Sequence, residues 1–321
     1  MLLSEAIKAL LVATRADGRS ERTVDSYEQR LRDFLAFLGD QPVGRITVHD
    51  IRAYAAHLRS RKERYVDHPA RERKSGGLSP FTVASYLRAV KRLFNWLVEE
   101  GIISESPARR VKLPKLGRHE PKAISREDFL KLLKAAEGDD PWQRRARALL
   151  LFLADTGCRR GGLEYLRVDD VDLEQRLVRI TEKGSRARLV PFSEVTREAL
   201  EDWLEVRPED KGPWLFTALG PKGKGRLTGD GIRQILDRLA KKAGVKGPVN
   251  PHSFRHAFAR EYLLNGGDLA TLADLLGHSS VQVTWEYYSI FRIRELQERH
   301  DRFSPVARLR KEGNGYGYGK C

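Results

Sequence analysis

The sequence has little sulfur. Its 321 residues include two cysteines, Cys158 and Cys321, and one methionine. Two cysteines cannot build a disulfide framework, and the spacing of a zinc finger is absent, so the composition favours a reducing compartment. We expect Cys158 to be a small buried side chain rather than a reactive thiol.

Long apolar runs are also missing. The longest, from Ala148 to Ala154, has seven residues, whereas a membrane-spanning helix needs about 20. The N-terminal apolar stretch contains Glu5 and has no basic leader, which does not fit a secretory signal peptide. The sequence therefore predicts a soluble, cytoplasmic protein without a membrane partner.

The motifs of several enzyme classes are absent. The sequence has no GxxxxGK[ST] loop, which argues against an ATP-driven enzyme. His252 and His256 lie four residues apart, but Ser253 stands where a zinc peptidase has glutamate. An acidic cluster without the glycine of a calcium-binding loop is predicted to be a surface turn; it contains Asp169, Asp170, Asp172 and Glu174. We therefore expect neither a metal nor another cofactor.

Positive charge, by contrast, is abundant. There are 59 lysines and arginines against 44 acidic residues, which gives a net charge of +15 and a pI near 9.9. Both parts of the chain share the excess, with +8 over residues 1–121 and +7 over residues 122–321. Such a chain attracts polyanions, above all nucleic acids. Its 40% of hydrophobic residues make it too apolar for a disordered basic tail.

The first third of the chain predicts an all-helical domain over residues 1–112. Apolar residues recur at helical spacing, and Ser20, Thr47 and Ser79 are suited to cap helix N-termini. The predicted helices cover residues 3–15, the segment between Ser20 and Gly39, and residues 48–59 and 80–100. The basic run at 59–74 is predicted to be a solvated loop, with phosphate contact as the alternative.

The remainder predicts a mixed α+β domain over residues 124–300. A basic segment with prolines, residues 113–123, is predicted to be an interdomain linker, and residues 301–321 to be a flexible tail. Two short strands are expected on either side of a turn containing Lys183 and Gly184. Further helices are predicted after the cap-like Ser125 and over a core segment that ends around Gly157. Others are predicted at 194–206, 229–243, 252–264, 268–276 and 281–299. The fold class is thus mainly α with a small antiparallel sheet.

Four short patches carry chemistry suited to a phosphodiester. Without metal or ATP, breaking this bond requires a side-chain nucleophile and cations that hold the developing negative charge. The patches are TGCRR at 156–160, EKGSRAR at 182–188, HSFR at 252–255, and LGH followed nine residues later by tyrosine. Their candidate site residues are Arg159, Lys183, His252, Arg255, His278 and Tyr287. Each residue taken singly has an ordinary structural explanation, but the ordered set does not.

In this order the patches resemble the tyrosine recombinases, also called the phage integrase family. The matching pattern is TG-x-R, K-G-x-x-x-R-x-V-P, H-x-x-R, and L-G-H with its tyrosine. The resemblance covers about residues 1–300 and implies a helical core-binding domain and a catalytic domain that form a C-shaped clamp on double-stranded DNA. It also implies a homotetramer on two duplexes, with residues 290–300 packing against a neighbour. No separate arm-binding module is expected.

The resemblance implies roles for the site residues. Arg159 and Arg255 would hold the non-bridging oxygens of the scissile phosphate, for which the planar guanidinium is suited. Lys183 would protonate the leaving 5′ oxygen. The two histidines would provide hydrogen bonds or proton transfer at the phosphate; they are His252 and His278. Tyr287 would attack and form a 3′-phosphotyrosyl link. We expect Tyr288, which faces another side of the predicted helix, to be a packing or interface residue.

One position departs from the family pattern. Members commonly carry an acidic residue three positions after the first arginine, where this chain has Gly162; Glu164 follows two residues later. The expected function is a metal-free, site-specific recombinase or integrase. The alternatives are a type IB topoisomerase, with similar chemistry but no strand exchange, and a non-catalytic DNA-binding protein of the same fold, which only Gly162 favours.

Overall fold

The computed structural model of the protein describes residues 1–64, 74–115, 122–181, 187–220, 225–278, 280–282, 285 and 300. The chain divides into two compact units, Met1–Arg118 and His119–Cys321. Part of the predicted linker, most of the predicted helix at 281–299 and the whole predicted tail lie outside the described residues.

The first unit is built from helices whose ends the sequence predicts to within one residue. Ser20, Thr47 and Ser79 each accept a hydrogen bond from a backbone N–H of the first helical turn, as N-cap residues do. The helices are α1 (Leu3–Ala16), α2 (Glu21–Leu38), α3 (Val48–Ser60) and α4 (Pro80–Glu99). Their buried faces form one core, in which the Phe34 ring meets those of Tyr54 and Phe94 edge to face.

The basic run at 59–74, predicted to be a loop, includes short strand pairing near its ends. Two residues at each end pair as antiparallel strands, β1 (Glu63–Arg64) with β2 (Lys74–Ser75), while residues 65–73 lie outside the described part. The base of this hairpin is held by Arg61, which forms an ion pair of 2.8 Å with Asp33 of α2. Two-residue strands are too short to show alternation, so the pattern gave no sign of them.

The second unit combines helices with a three-stranded antiparallel sheet in the order β3-β4-β5. The helices are α5 (Arg126–Ala135), α6 (Pro141–Thr156), α7 (Arg160–Glu164), α8 (Glu194–Val206), α9 (Gly229–Lys242), α10 (Pro251–Leu264) and α11 (Leu269–Leu276). The strands are β3 (Val171–Asp172), β4 (Leu177–Ile180) and β5 (Arg188–Pro191). The mainly α architecture with a small antiparallel sheet confirms the predicted fold class.

Two elements of the second unit were not predicted. The sequence indicates two strands, and the structure adds β3, whose two residues again show no alternation. The short helix α7 begins with an arginine followed by Gly161 and Gly162, and glycine disfavours helix. Both elements are therefore set by their tertiary surroundings.

Helix α6 lies at the centre of the second core and ends next to the candidate site. It packs against α8 and α10, and Leu149, Phe152 and Leu153 are fully buried. The helix ends at Gly157, whose φ of 56° is left-handed. A Cβ at this position would lie 2.7 Å from the Phe258 ring of α10. Both the backbone conformation and the lack of space therefore require glycine here. None of the helices in the described part of the chain is long and apolar enough to cross a membrane.

Candidate active site

The end of α6 presents the first candidate arginine. After the left-handed turn at Gly157, Cys158 is fully buried, as expected, and its backbone N–H donates to Thr156 Oγ1 at 3.3 Å. Arg159 follows in an extended conformation as the N-cap residue of α7 and is half-buried. The buried cysteine and the two helix ends thus fix the backbone on both sides of Arg159.

The start of α10 presents two further candidates on one turn. The side chain of Asn250 caps the helix by accepting hydrogen bonds from the backbone N–H groups of His252 and Ser253. Ser253, which stands where a zinc peptidase has glutamate, closes the same capping arrangement through its hydroxyl. His252 is exposed, whereas Arg255, one turn later, is only 4% exposed.

Arg255 joins three elements of the second unit. Its Nη1 donates to the carbonyl oxygen of Gly157 at 2.9 Å, and its Nη2 donates to the carbonyl oxygen of Leu276 at 2.6 Å. The guanidinium of α10 therefore binds the C-terminal ends of both α6 and α11. Each carbonyl lies at the negative end of its helix, where a cation is favourable.

The end of α11 presents His278. Gly277 takes a left-handed φ of 62°, and the backbone N–H of His278 donates back to the Ala273 carbonyl at 3.0 Å. Leu275, one residue before the carbonyl bound by Arg255, accepts a hydrogen bond of 2.9 Å from Arg188 Nε. Two arginines from different elements thus bind consecutive carbonyls directly before the turn that carries His278.

The surroundings of His252 favour its neutral form. Protein atoms withdraw the imidazole from part of its water, and the positive charges of Arg255, Arg159 and Arg160 act in the same direction, so the pKa of His252 lies below its ordinary value. The influence of Arg159 places this side chain within electrostatic reach of His252. We therefore expect a neutral imidazole at pH 7, able to donate one hydrogen bond and accept another.

The structure brings four of the six candidates together. Their elements meet through the Arg255 contacts and the charges acting on His252; the four are Arg159, His252, Arg255 and His278. Lys183 and Tyr287, with its neighbour Tyr288, lie outside the described residues. Arg188 was given no role from the sequence, although it is the arginine of the K-G-x-x-x-R-x-V-P pattern. That motif is the one signal that could have found it.

The position of the missing carboxylate is occupied by buried backbone. Gly162 lies inside α7 and is buried. Glu164 is held away from it, because one of its carboxylate oxygens forms an ion pair of 3.3 Å with Arg226, and only 17% of the Glu164 side chain is exposed. The Arg226 guanidinium also lies over the Tyr165 ring, 4.3 Å from its centroid. Glu164 thus belongs to a separate cluster beside α7.

The residues considered as metal ligands do not assemble. Within the described ranges, no group of three His, Cys, Asp or Glu side chains lies close enough together to hold a metal ion. Asp170, from the acidic cluster, accepts from the Arg167 backbone and contacts Arg179, while Asp172 accepts from the backbone of Gln175. These carboxylates serve the turn and strand in which they lie.

Known protein families match both parts of the chain. The phage integrase family matches residues 122–292, and the N-terminal SAM-like domain of phage integrases matches residues 7–103. Tyrosine recombinase XerD of Listeria innocua serovar 6a is 30% identical over 298 residues, which cover 90% of this chain and 95% of that relative.

Solved structures share the fold. The Tn1549 transposon integrase in complex with a circular intermediate DNA has a TM-score of 0.72 at 20% identity, over 93% of this chain and 99% of that one. A lambda integrase tetramer bound to a Holliday junction has a TM-score of 0.66 at 18% identity, over 87% of this chain and 75% of that one. The chain belongs to the phage integrase family and is a tyrosine recombinase, a DNA strand transferase.

The electrostatic contact with His252 can be measured without DNA. In an NMR titration, with the signal assigned by His252→Gln, we expect a pKa below 6.5 in the wild type. Arg159→Gln should raise this pKa, because the variant removes a positive charge that opposes protonation. Arg179→Gln on β4 is the matched control, since it removes an arginine that does not act on His252. Equal shifts in the two variants would contradict the proximity of Arg159 and His252.

Proposed function

We propose that this recombinase cleaves and rejoins a specific site in duplex DNA through a 3′-phosphotyrosyl intermediate, without a metal ion. The observation that carries the proposal is the bridge made by Arg255, which draws the ends of α6 and α11 towards the start of α10. This bridge supports the proposal because it joins the chain segments that carry two arginines and two histidines, groups suited to phosphoryl transfer.

The proposed cleavage step uses the gathered cations. Arg159 and Arg255 stabilise the negative charge on the non-bridging oxygens as the phosphorus becomes five-coordinate. The phenolic oxygen of Tyr287 gives its proton to the imidazole of His252 and forms the new bond to phosphorus. The bond to the 5′ oxygen breaks, and Lys183 gives that oxygen its proton. A 5′ hydroxyl of the same or a partner strand reverses the step and restores the phosphodiester.

The histidines complete this proposal. Because its lowered pKa favours the neutral form, His252 can accept a proton or a hydrogen bond at the phosphate without adding to the charge already supplied by the arginines. His278, on the turn after α11, donates a hydrogen bond to a phosphate oxygen. The charge that a divalent cation supplies in other phosphoryl-transfer enzymes comes here from guanidinium groups, which is why we propose chemistry without metal.

The division of labour between the units is also a proposal. Residues 124–300 carry the chemistry, and residues 1–112 bind the duplex beside it through their basic surface, joined by the linker at 113–123. Since a lambda integrase of this fold is a tetramer on a Holliday junction, we propose that four copies act on two duplexes. Residues 290–300 are the candidate contact between neighbours.

The test begins by finding the site. The full chain is incubated with nicked duplexes whose core is randomised, and DNA that stays attached after denaturation is sequenced. We expect a consensus core, and covalent capture on it should persist in excess chelator. Two copies of the core on one plasmid should then recombine.

Each alternative has its own result in the same assays. Relaxation of supercoiled plasmids without exchange between two cores would identify a type IB topoisomerase. Sequence-specific binding without covalent capture would identify a non-catalytic DNA-binding protein. Capture that chelator abolishes and magnesium restores would refute the metal-free mechanism.

A further inference from the structure

Two guanidinium groups, one from β5 and one from α10, bind the C-terminus of α11. Arg188 Nε donates to the Leu275 carbonyl at 2.9 Å, and Arg255 Nη2 donates to the Leu276 carbonyl at 2.6 Å. The last carbonyls of a helix have no partner within it, and cations are favourable there. Arg255 already has a place in the proposed chemistry, whereas Arg188 has none.

The Arg188 side chain also packs on the turn that follows. A Cβ built on Gly277 would lie 2.8 Å from Arg188 Nη1 and 3.1 Å from both its Cδ and its Cζ. Gly277 has a φ of 62°, which glycine adopts without cost. The guanidinium therefore lies against bare backbone, one residue before His278, and any side chain at 277 would push it away.

Arg188 stands at the base of the β4–β5 hairpin. It is the first residue of β5 and pairs with Ile180, the last residue of β4. The intervening residues carry Lys183 in the sequence. The base of the hairpin and the C-terminus of α11 are thus fixed to each other by one side chain, across 87 residues of sequence.

We propose that Arg188 is a positioning residue that sets the place of His278. It binds the helix end and the glycine turn rather than the phosphate, and it holds this turn at a fixed distance from the hairpin base. The importance of His278 to catalysis rests on the proposed function. The placement of the turn does not, so it can be tested separately.

The test is a double-mutant cycle of Arg188→Ala and Gly277→Ala, with His278 followed by NMR in the absence of DNA. The signal is assigned with His278→Gln. We expect each single variant to shift it, because one removes the hydrogen bond to Leu275 and the other displaces the guanidinium. We also expect each to slow single-turnover cleavage by about 10- to 100-fold, as small misplacements of reacting groups do.

The double variant is the discriminating measurement. With Arg188 gone, the alanine at 277 no longer meets the guanidinium, and only its backbone strain remains. The combined loss of cleavage should therefore fall short of the product of the single losses by about threefold or more, as for residues in contact. If the double variant instead loses cleavage by the full product of the two single losses, the two residues act independently and the proposal is overturned.

Two further variants separate positioning from general stability. Arg188→Lys keeps a donor that can reach Leu275 and should recover part of the cleavage rate and of the NMR shift. Arg179→Ala, on the neighbouring strand, removes an exposed arginine paired with Asp170 and should leave both unchanged. An unshifted His278 signal in Arg188→Ala would refute the proposal. If the wild type never captures DNA while the effects of the two substitutions on the His278 signal are not additive, the proposed function fails and the positioning role remains.

Discussion

Tyr287→Phe should abolish the covalent protein–DNA complex, while Tyr288→Phe should still form it. Phenylalanine keeps the ring and removes only the oxygen that would bond to phosphorus, so folding and DNA affinity should change little. Tyr287 follows His278 by nine residues, the family spacing, and Tyr288 by ten. Adjacent residues of the predicted helix at 281–299 diverge by about 100°, so only one of the two rings can face the phosphate.

The measurement is capture on a nicked suicide duplex, from which the cleaved end diffuses away so that the adduct accumulates. DNA binding by each variant, measured on the intact duplex, shows whether a loss of capture is chemical. Peptide mapping of the wild-type complex should place the nucleotide on Tyr287. An adduct on Tyr288, or one that persists in Tyr287→Phe, would overturn the assignment of the nucleophile.

The helices were predictable because their signals are local. Apolar periodicity and capping residues such as Ser20 and Ser79 fixed the boundaries of the first unit to within one residue. In the second unit, the predicted helix at 194–206 is α8 itself. Gly157 marked the end of α6 for the same reason, since a left-handed C-cap favours glycine.

What the sequence could not predict depends on contacts between distant residues. The pairing of β3 with β4 and the helical turn of α7 involve too few residues for a periodic pattern. Arg255 was assigned to the phosphate from its motif, but its hydrogen bond to Gly157 spans 98 residues of sequence. The role of Arg188 is hidden for the same reason.

The candidate site likewise has a part that the motifs predicted and a part that only long-range contacts show. Family motifs placed Arg159, His252, Arg255 and His278 in one set, and the fold brings their elements together. The motifs did not show why the acidic residue expected at 162 is absent. At that position the structure has buried backbone, with Glu164 engaged by Arg226. The assignments of Lys183 and Tyr287 stay predictions.

Replacing either site arginine by glutamine should slow cleavage to a similar extent, but the two variants should differ in stability. Both variants remove a charged donor from the proposed transition state, and we expect single-turnover cleavage to fall about 10²- to 10³-fold in each. Arg255→Gln should also lower the free energy of unfolding, because it leaves the carbonyls of Gly157 and Leu276 without their charged partner. A buried acceptor left unsatisfied costs about 1–3 kcal/mol.

Arg159→Gln should be far less destabilising, because this side chain is half-buried and makes neither of those hydrogen bonds. Urea unfolding measures the difference, and cleavage is assayed where both variants are fully folded. Arg255→Lys is the sharper variant, since it keeps the charge but its single amine cannot reproduce the planar pair of donors. We expect it to recover little stability or cleavage. If Arg255→Gln proves as stable as Arg159→Gln, the bridge between the ends of α6 and α11 does not hold the site together, and the observation that carries the proposed function fails.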